Sequence, residues 1–149
     1  MPNPKSTAQI AGHPIHPMLV PFPIAFLVGT FVSDIVYAAG GGEFWATASY
    51  WLLAGAIVMA LLAAVAGFTD FFGEPRIREQ RVAWYHMIGN LGAVVLALIN
   101  LLLRLGPAGT GYPAGLWISL ITVLLLLFNG WMGWELVYRH RVGVADETG

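Results

Sequence analysis

The chain has 149 residues, of which 58% are hydrophobic and 10% charged. An average soluble domain carries ~25% charged residues, and a mean hydropathy of +0.72 excludes both a disordered chain and a water-wetted globule. The absence of Cys excludes disulfides and thiolate sites, and a net charge of −1 gives no nucleic-acid signal.

Four apolar segments follow one another: Met18 to Ala39, Phe44 to Phe68, Trp84 to Leu105 and Ala114 to Tyr138. Each is long enough to cross a bilayer core of ~30 Å as a helix. Loops rich in Gly, Pro and charge separate them: Gly40 to Glu43, Asp70 to Ala83, and Gly106 to Pro113. The expectation is one all-α domain over 1–149, a four-helix transmembrane bundle in a lipid bilayer. The first segment carries Asp34 and is too long for a signal-peptide core, so it reads as a retained helix. Lys5, Arg76, Arg78, Arg81, Arg139 and Arg141 fall on the side of the termini, and Arg104 alone on the other. This bias predicts cytoplasmic termini in a bacterial inner membrane.

The first span opens with Pro21 and Pro23, which bend its entry. The second carries a small-residue stripe: Ser49, Ala56, Ala60, Ala63 and Gly67, then Asp70. On the third, His86, Asn90, Ala93, Ala97, Asn100 and Arg104 share one face at a period near 3.5. That period predicts left-handed packing with the polar stripe inward. The fourth places Thr122, Asn129, Gly133 and His140 on one face.

Two polar constellations emerge. Asp34 and Asn100 lie at equal depth in parallel spans, one turn from Arg104. A buried carboxylate in lipid requires a partner, so Asp34 is expected to pair with Arg104 or Asn100. At the other end, His13, His16, His86 and His140 all fall near the termini, with Asp70 and Glu135. Each Pro after His13 and His16 favours an extended conformation, which points both rings the same way, ~9 Å apart. The expectation is one site of four His, with Asp70, Asn90 and Glu135 as hydrogen-bonding supports. A plainer alternative has Asp70 capping a helix or pairing with Arg76 or Arg78, and Glu135 pairing with Arg139. The sequence contains no GxxxxGK[ST], HExxH or GxSxG motif, and no reaction is assigned to the chain.

Gly12-His13-Pro14-Ile15-His16-Pro17 and Leu19-Val20-Pro21-Phe22-Pro23-Ile24 resemble the opening of a bacterial four-helix membrane family catalogued as a domain of unknown function. Ala66-Gly67-Phe68-Thr69-Asp70, His86 with Asn90, and the segment from Gly130 to Val144 are similar to it too. The likeness covers nearly the whole chain. The family typically has Gly where this chain has Ala25, Trp134 and Arg141. Related domains occur fused to Rieske-type iron–sulfur domains, so the resemblance implies electron transfer, with a haem held by paired His. A Rieske partner would here be a separate protein.

The leading functional expectation is a redox subunit binding haem b or a metal ion. His86 and one of His13, His16 or His140 would be the ligands, and Gly89 and Gly92 would make room for a macrocycle. Two alternatives are a structural or assembly protein whose polar residues only lock the bundle, and a solute channel, which would require a homo-oligomer.

Overall fold

The computed structural model describes residues 2–107 and 111–146. Ala108, Gly109 and Thr110 of the expected third loop lie outside the described residues. A short hairpin leads in. Strands β1 (Gln9–Ile10) and β2 (His13–Pro14) pair antiparallel. Ala11 and Gly12 turn between them with φ of 48° and 81°, the two positive values that a tight hairpin turn matching strand twist requires.

Helix α1 (Ile15–Leu19) runs directly into α2 (Pro21–Ala38). Val20 is itself helical and donates to His16 O at 3.1 Å. Pro21 and Pro23 lack the N–H groups that would bond one turn back, so they loosen the junction without ending the helix. Here the structure corrects the sequence expectation. His13 is extended, but His16 is helical, because Pro17 falls within the first turn of α1, where its missing donor has no partner to lose.

Helix α3 (Glu43–Gly73) has 31 residues, about 46 Å at 1.5 Å per residue. It continues past the expected end at Phe68, because Phe71 is buried against Ile77, Ala83 and Leu136. The short α4 (Pro75–Arg78) turns the chain into α5 (Arg81–Leu103). Helix α6 (Tyr112–Trp134) passes without a break into a π-helical turn, Glu135–Arg139.

Four helical stretches are long and apolar enough to cross a membrane: Ile15–Ala38, Glu43–Gly73, Arg81–Leu103 and Tyr112–Arg139. They pack in a square, most extensively as the pairs α2/α3 and α5/α6, closed by α2 on α6 and α3 on α5. Small residues make these contacts close: Ala56, Ala63 and Ala66 of α3 and Ala93 and Ala97 of α5 are buried. The polarity is inverted relative to a soluble bundle. Thr30, Ser33, Asp34, Ser49, Asn100, Ser119, Thr122 and Asn129 are interior, while Val65, Leu124 and Leu127 are exposed. In hydrocarbon this is the favourable arrangement, since polar groups find partners only inside.

Candidate functional site

Polar side chains gather in three layers along the bundle. Farthest from the termini, Asp34 has no exposed surface and Arg104 only 7%. Arg104 Nη1 and Nη2 donate to Asp34 Oδ1 and Oδ2, both at 2.8 Å. This fork-on-carboxylate geometry gives strong, directional bonds. Arg104 Nε donates to Asn100 Oδ1 at 2.9 Å, and Asn100 Nδ2 to Gly115 O at 3.1 Å. Asp34 Oδ1 also accepts from Ser49, and Oδ2 from Ser119 at 2.7 Å. The Tyr112 hydroxyl donates to the Asp34 carbonyl. All four spans therefore contribute to this layer. Gly115 is required there, since a Cβ would stand 2.7 Å from Arg104 Nη2. Of the two expected partners, Arg104 bonds Asp34 directly and Asn100 bonds Arg104; Ser119 and Tyr112 are additions the sequence expectation does not contain. Ser119 sits three residues before Thr122 on the same helix face, a signal that the periodicity of α6 contains.

The second layer holds two histidines. His16 Nδ1–H donates to the Ala63 carbonyl of α3 at 2.8 Å. His86 Nδ1–H donates to the Asn129 carbonyl of α6 at 3.0 Å. A carbonyl can only accept, so each Nδ1 carries a proton and Nε2 is the nitrogen turned away from the backbone. The two ring centres are 6.2 Å apart, with planes at 87°. Glycines let both rings lie against helix backbone. A Cβ on Gly67 would stand 2.9 Å from His16 Nδ1, and one on Gly133 would stand 3.1 Å from His86 Cε1.

His86 also belongs to a closed ring of hydrogen bonds. Asn90 Nδ2 donates to His86 Nε2 at 3.0 Å, and Asn129 Nδ2 to Asn90 Oδ1 at 3.1 Å. The Asn129 carbonyl then receives His86 Nδ1–H. Asn129 Oδ1 is buried and, among the described residues, has no hydrogen-bond partner. It abuts Gly89, where any side chain would collide with it. Gly92 faces Leu125. Both glycines thus serve the α5–α6 contact and clear no space beside His86, contrary to the sequence expectation.

Among the described residues, no hydrogen bond, ion pair or ring contact joins the side chains of the other expected members of the histidine site to the His16–His86 pair. His13 is exposed and its Nδ1 bonds the Ala11 carbonyl within its own turn at 3.0 Å. His140 follows the π turn and donates its backbone N–H to Glu135 O. Glu135 pairs with Arg139 at 2.8 Å. Among the described residues no three His, Asp or Glu side chains converge to hold a metal ion.

Asp70 belongs to a third layer, which straps the chain ends together. Its Oδ1 accepts the N–H groups of Thr7 and Ala8, both at 2.7 Å, and the Ser6 hydroxyl at 2.8 Å. Successive N–H groups converging on one oxygen form an anion nest. Arg76 donates to Pro2 O at 2.7 Å and forks onto Glu74. The hydrogen bonds from the Arg76 guanidinium, then its backbone N–H, pull the Glu74 carboxyl down to about 2. Asn3 N–H donates to Asp146 at 2.7 Å, and Gly143 N–H to Pro4 O at 2.8 Å. Asp70 therefore supports neither a histidine nor Arg76 or Arg78. The extra turns of α3 carry it out to the N-terminal arm.

An inverted-polarity bundle with four membrane-length helices is a multi-pass membrane protein. Residues 12–146 match the family model described as predicted membrane protein (DUF2231), and the chain belongs to that family. No curated protein and no solved structure matches it.

Proposed function

We propose that this membrane protein holds a b-type haem between His16 and His86 and acts as an electron-transfer subunit. The observation that carries the reading is the histidine pair itself. Its ring centres are 6.2 Å apart. At that separation one metal with bonds of about 2 Å would be within reach of both rings. Both Nδ1–H groups are fixed on backbone carbonyls, the support that orients a ligating imidazole and raises its basicity. A bare zinc ion requires four ligands, and the described residues offer no third His, Asp or Glu. Two imidazoles alone suit iron that brings four ring nitrogens of its own. Ligation at His86 requires Asn90 to rotate off Nε2.

The bound group would supply one-electron chemistry. The protein's part is to orient two imidazoles and surround them with apolar helices. The basic residues near the termini favour a cytoplasmic face there, in an inner membrane, with a separate redox protein as partner.

A second reading, a purely structural bundle, draws on the closed His86–Asn90–Asn129 ring, which satisfies His86 without any ligand. A channel through one chain would have to pass the Asp34–Arg104 layer, to which every span contributes. Haem and metal content of the purified protein separates these readings. One haem per chain is expected, retained in His13→Ala and His140→Ala and perturbed in His16→Ala and His86→Ala. Protein from haem-replete cells that carries neither haem nor metal, yet melts lower as His86→Ala, supports the structural reading instead.

A further inference from the structure

The basic residues on the side of the termini are not alike. Arg76 forks onto Glu74, and Arg139 pairs with Glu135. Lys5 sits in the N-terminal arm, beside a cleft whose wall includes Asp146. Arg78 and Arg81 enter no ion pair among the described residues, and Glu79 between them is exposed and bridges neither. These two arginines flank the turn from α4 into α5. Arg78 Nη1 donates to the Phe72 carbonyl at 2.9 Å, which draws its guanidinium to the end of α3. Its own carbonyl accepts the Trp84 indole N–H at 2.9 Å. That indole stands edge-on to Phe71, with ring centres 4.8 Å apart. Two cations without counter-charges and an aromatic at the level of the membrane interface are thus held in one corner between α3 and α5. The corner tops a lipid-facing track. Arg81 heads a stripe of α5 that continues through Trp84, Ile88, Leu91, Val95 and Leu98, every one exposed. From Trp84 to Val95 it runs about 16 Å at 1.5 Å per residue, half of a ~30 Å hydrocarbon core.

We propose that Arg78 and Arg81 bind the phosphate of an anionic phospholipid seated at this corner, in the leaflet on the side of the termini, with its acyl chains along the outer stripe of α5. Charge complementarity selects the headgroup. A guanidinium fork matches phosphate oxygens, and a lipid with net negative charge neutralises arginines that the fold leaves uncompensated. A zwitterionic lipid brings its own cation and gains less. The apolar stripe below selects a lipid over a free anion. No part of this site depends on the haem reading.

The test is native mass spectrometry of the detergent-solubilised protein, titrated separately with phosphatidylglycerol, phosphatidylcholine and inorganic phosphate. The wild type should retain one phosphatidylglycerol per chain at concentrations where phosphatidylcholine is not retained. Arg81→Gln should weaken that binding roughly fivefold, the contribution of one basic residue at an anionic surface. Arg78→Gln combined with Arg81→Gln should abolish the preference for the anionic lipid. The Arg81 side chain makes no hydrogen bond among the described residues, so Arg81→Gln gives the readout if the double variant, which also loses the bond to Phe72, does not fold. Arg139→Gln removes a charge that is already paired and should bind as the wild type does. Equal retention of the two lipids by the wild type overturns the site, as does unchanged affinity in Arg81→Gln or an equal loss in Arg139→Gln. Inorganic phosphate bound as tightly as phosphatidylglycerol would make this a free-anion site and overturn the lipid assignment.

Discussion

Asp34 is the residue on which the loop-end layer turns. Removing one partner of a buried ion pair leaves the other charge uncompensated, typically at 3–5 kcal/mol. Asp34→Ala should therefore destabilise the protein by about 3–5 kcal/mol, read as loss of thermal stability in detergent. Asp34→Ala with Arg104→Met should cost less than the two single changes together. Strict additivity would contradict the pairing. This pair was legible in the sequence, because a charge in an apolar span has few places to go and a helical period fixes its depth. The histidine pair was only half legible. Charge bias put four His at one end, but no spacing distinguishes His16, which reaches α3, from His13, which bonds its own turn. The partners that orient both rings are backbone carbonyls of Ala63 and Asn129, and a carbonyl has no signature in a sequence.

At the level of elements, glycines set how closely helices approach. Gly89→Ala would drive a methyl into the Asn129 amide. It should open the α5–α6 contact, at about 1–3 kcal/mol for overpacking, measurable as a lower melting temperature. Gly130 has open space around it, so Gly130→Ala should leave stability unchanged or slightly raised. The strap is sensitive to pH in a defined direction. Glu74 has its carboxyl lowered from 4.5 to about 2, so its contribution is complete above pH 4.5 and is lost as pH falls toward 2. Protease protection of the N-terminal arm should decline across that window. Glu74→Gln should loosen the arm already at pH 5, and the difference between the two proteins isolates Glu74 from the neighbouring Asp70. An arm equally protected in both at pH 5 would contradict the role given to Glu74. The strap itself was not legible. Helix α3 outruns its apolar stretch because Phe71 packs on Ile77 just beyond the helix and on Leu136, 65 residues further along the chain, and that extension brings Asp70 to Thr7 and Ala8.

Across the whole molecule, the spans follow from hydropathy because in lipid the apolar surface faces outward and the backbone is satisfied within each helix. The ends of the spans do not follow from it. They depend on Pro17 in a first helical turn, on Phe71, and on a π turn that carries the fourth helix to Arg139. The central claim joins the outermost helical turn of the first span to the third span through one metal. Its most direct measurement is the visible spectrum of the purified protein from haem-replete cells, oxidised and dithionite-reduced. The account predicts a Soret band and a sharp reduced α-band of b-type haem, both lost or shifted in His16→Ala and in His86→Ala. A wild-type spectrum with no Soret band, or one unchanged in both variants, would contradict it.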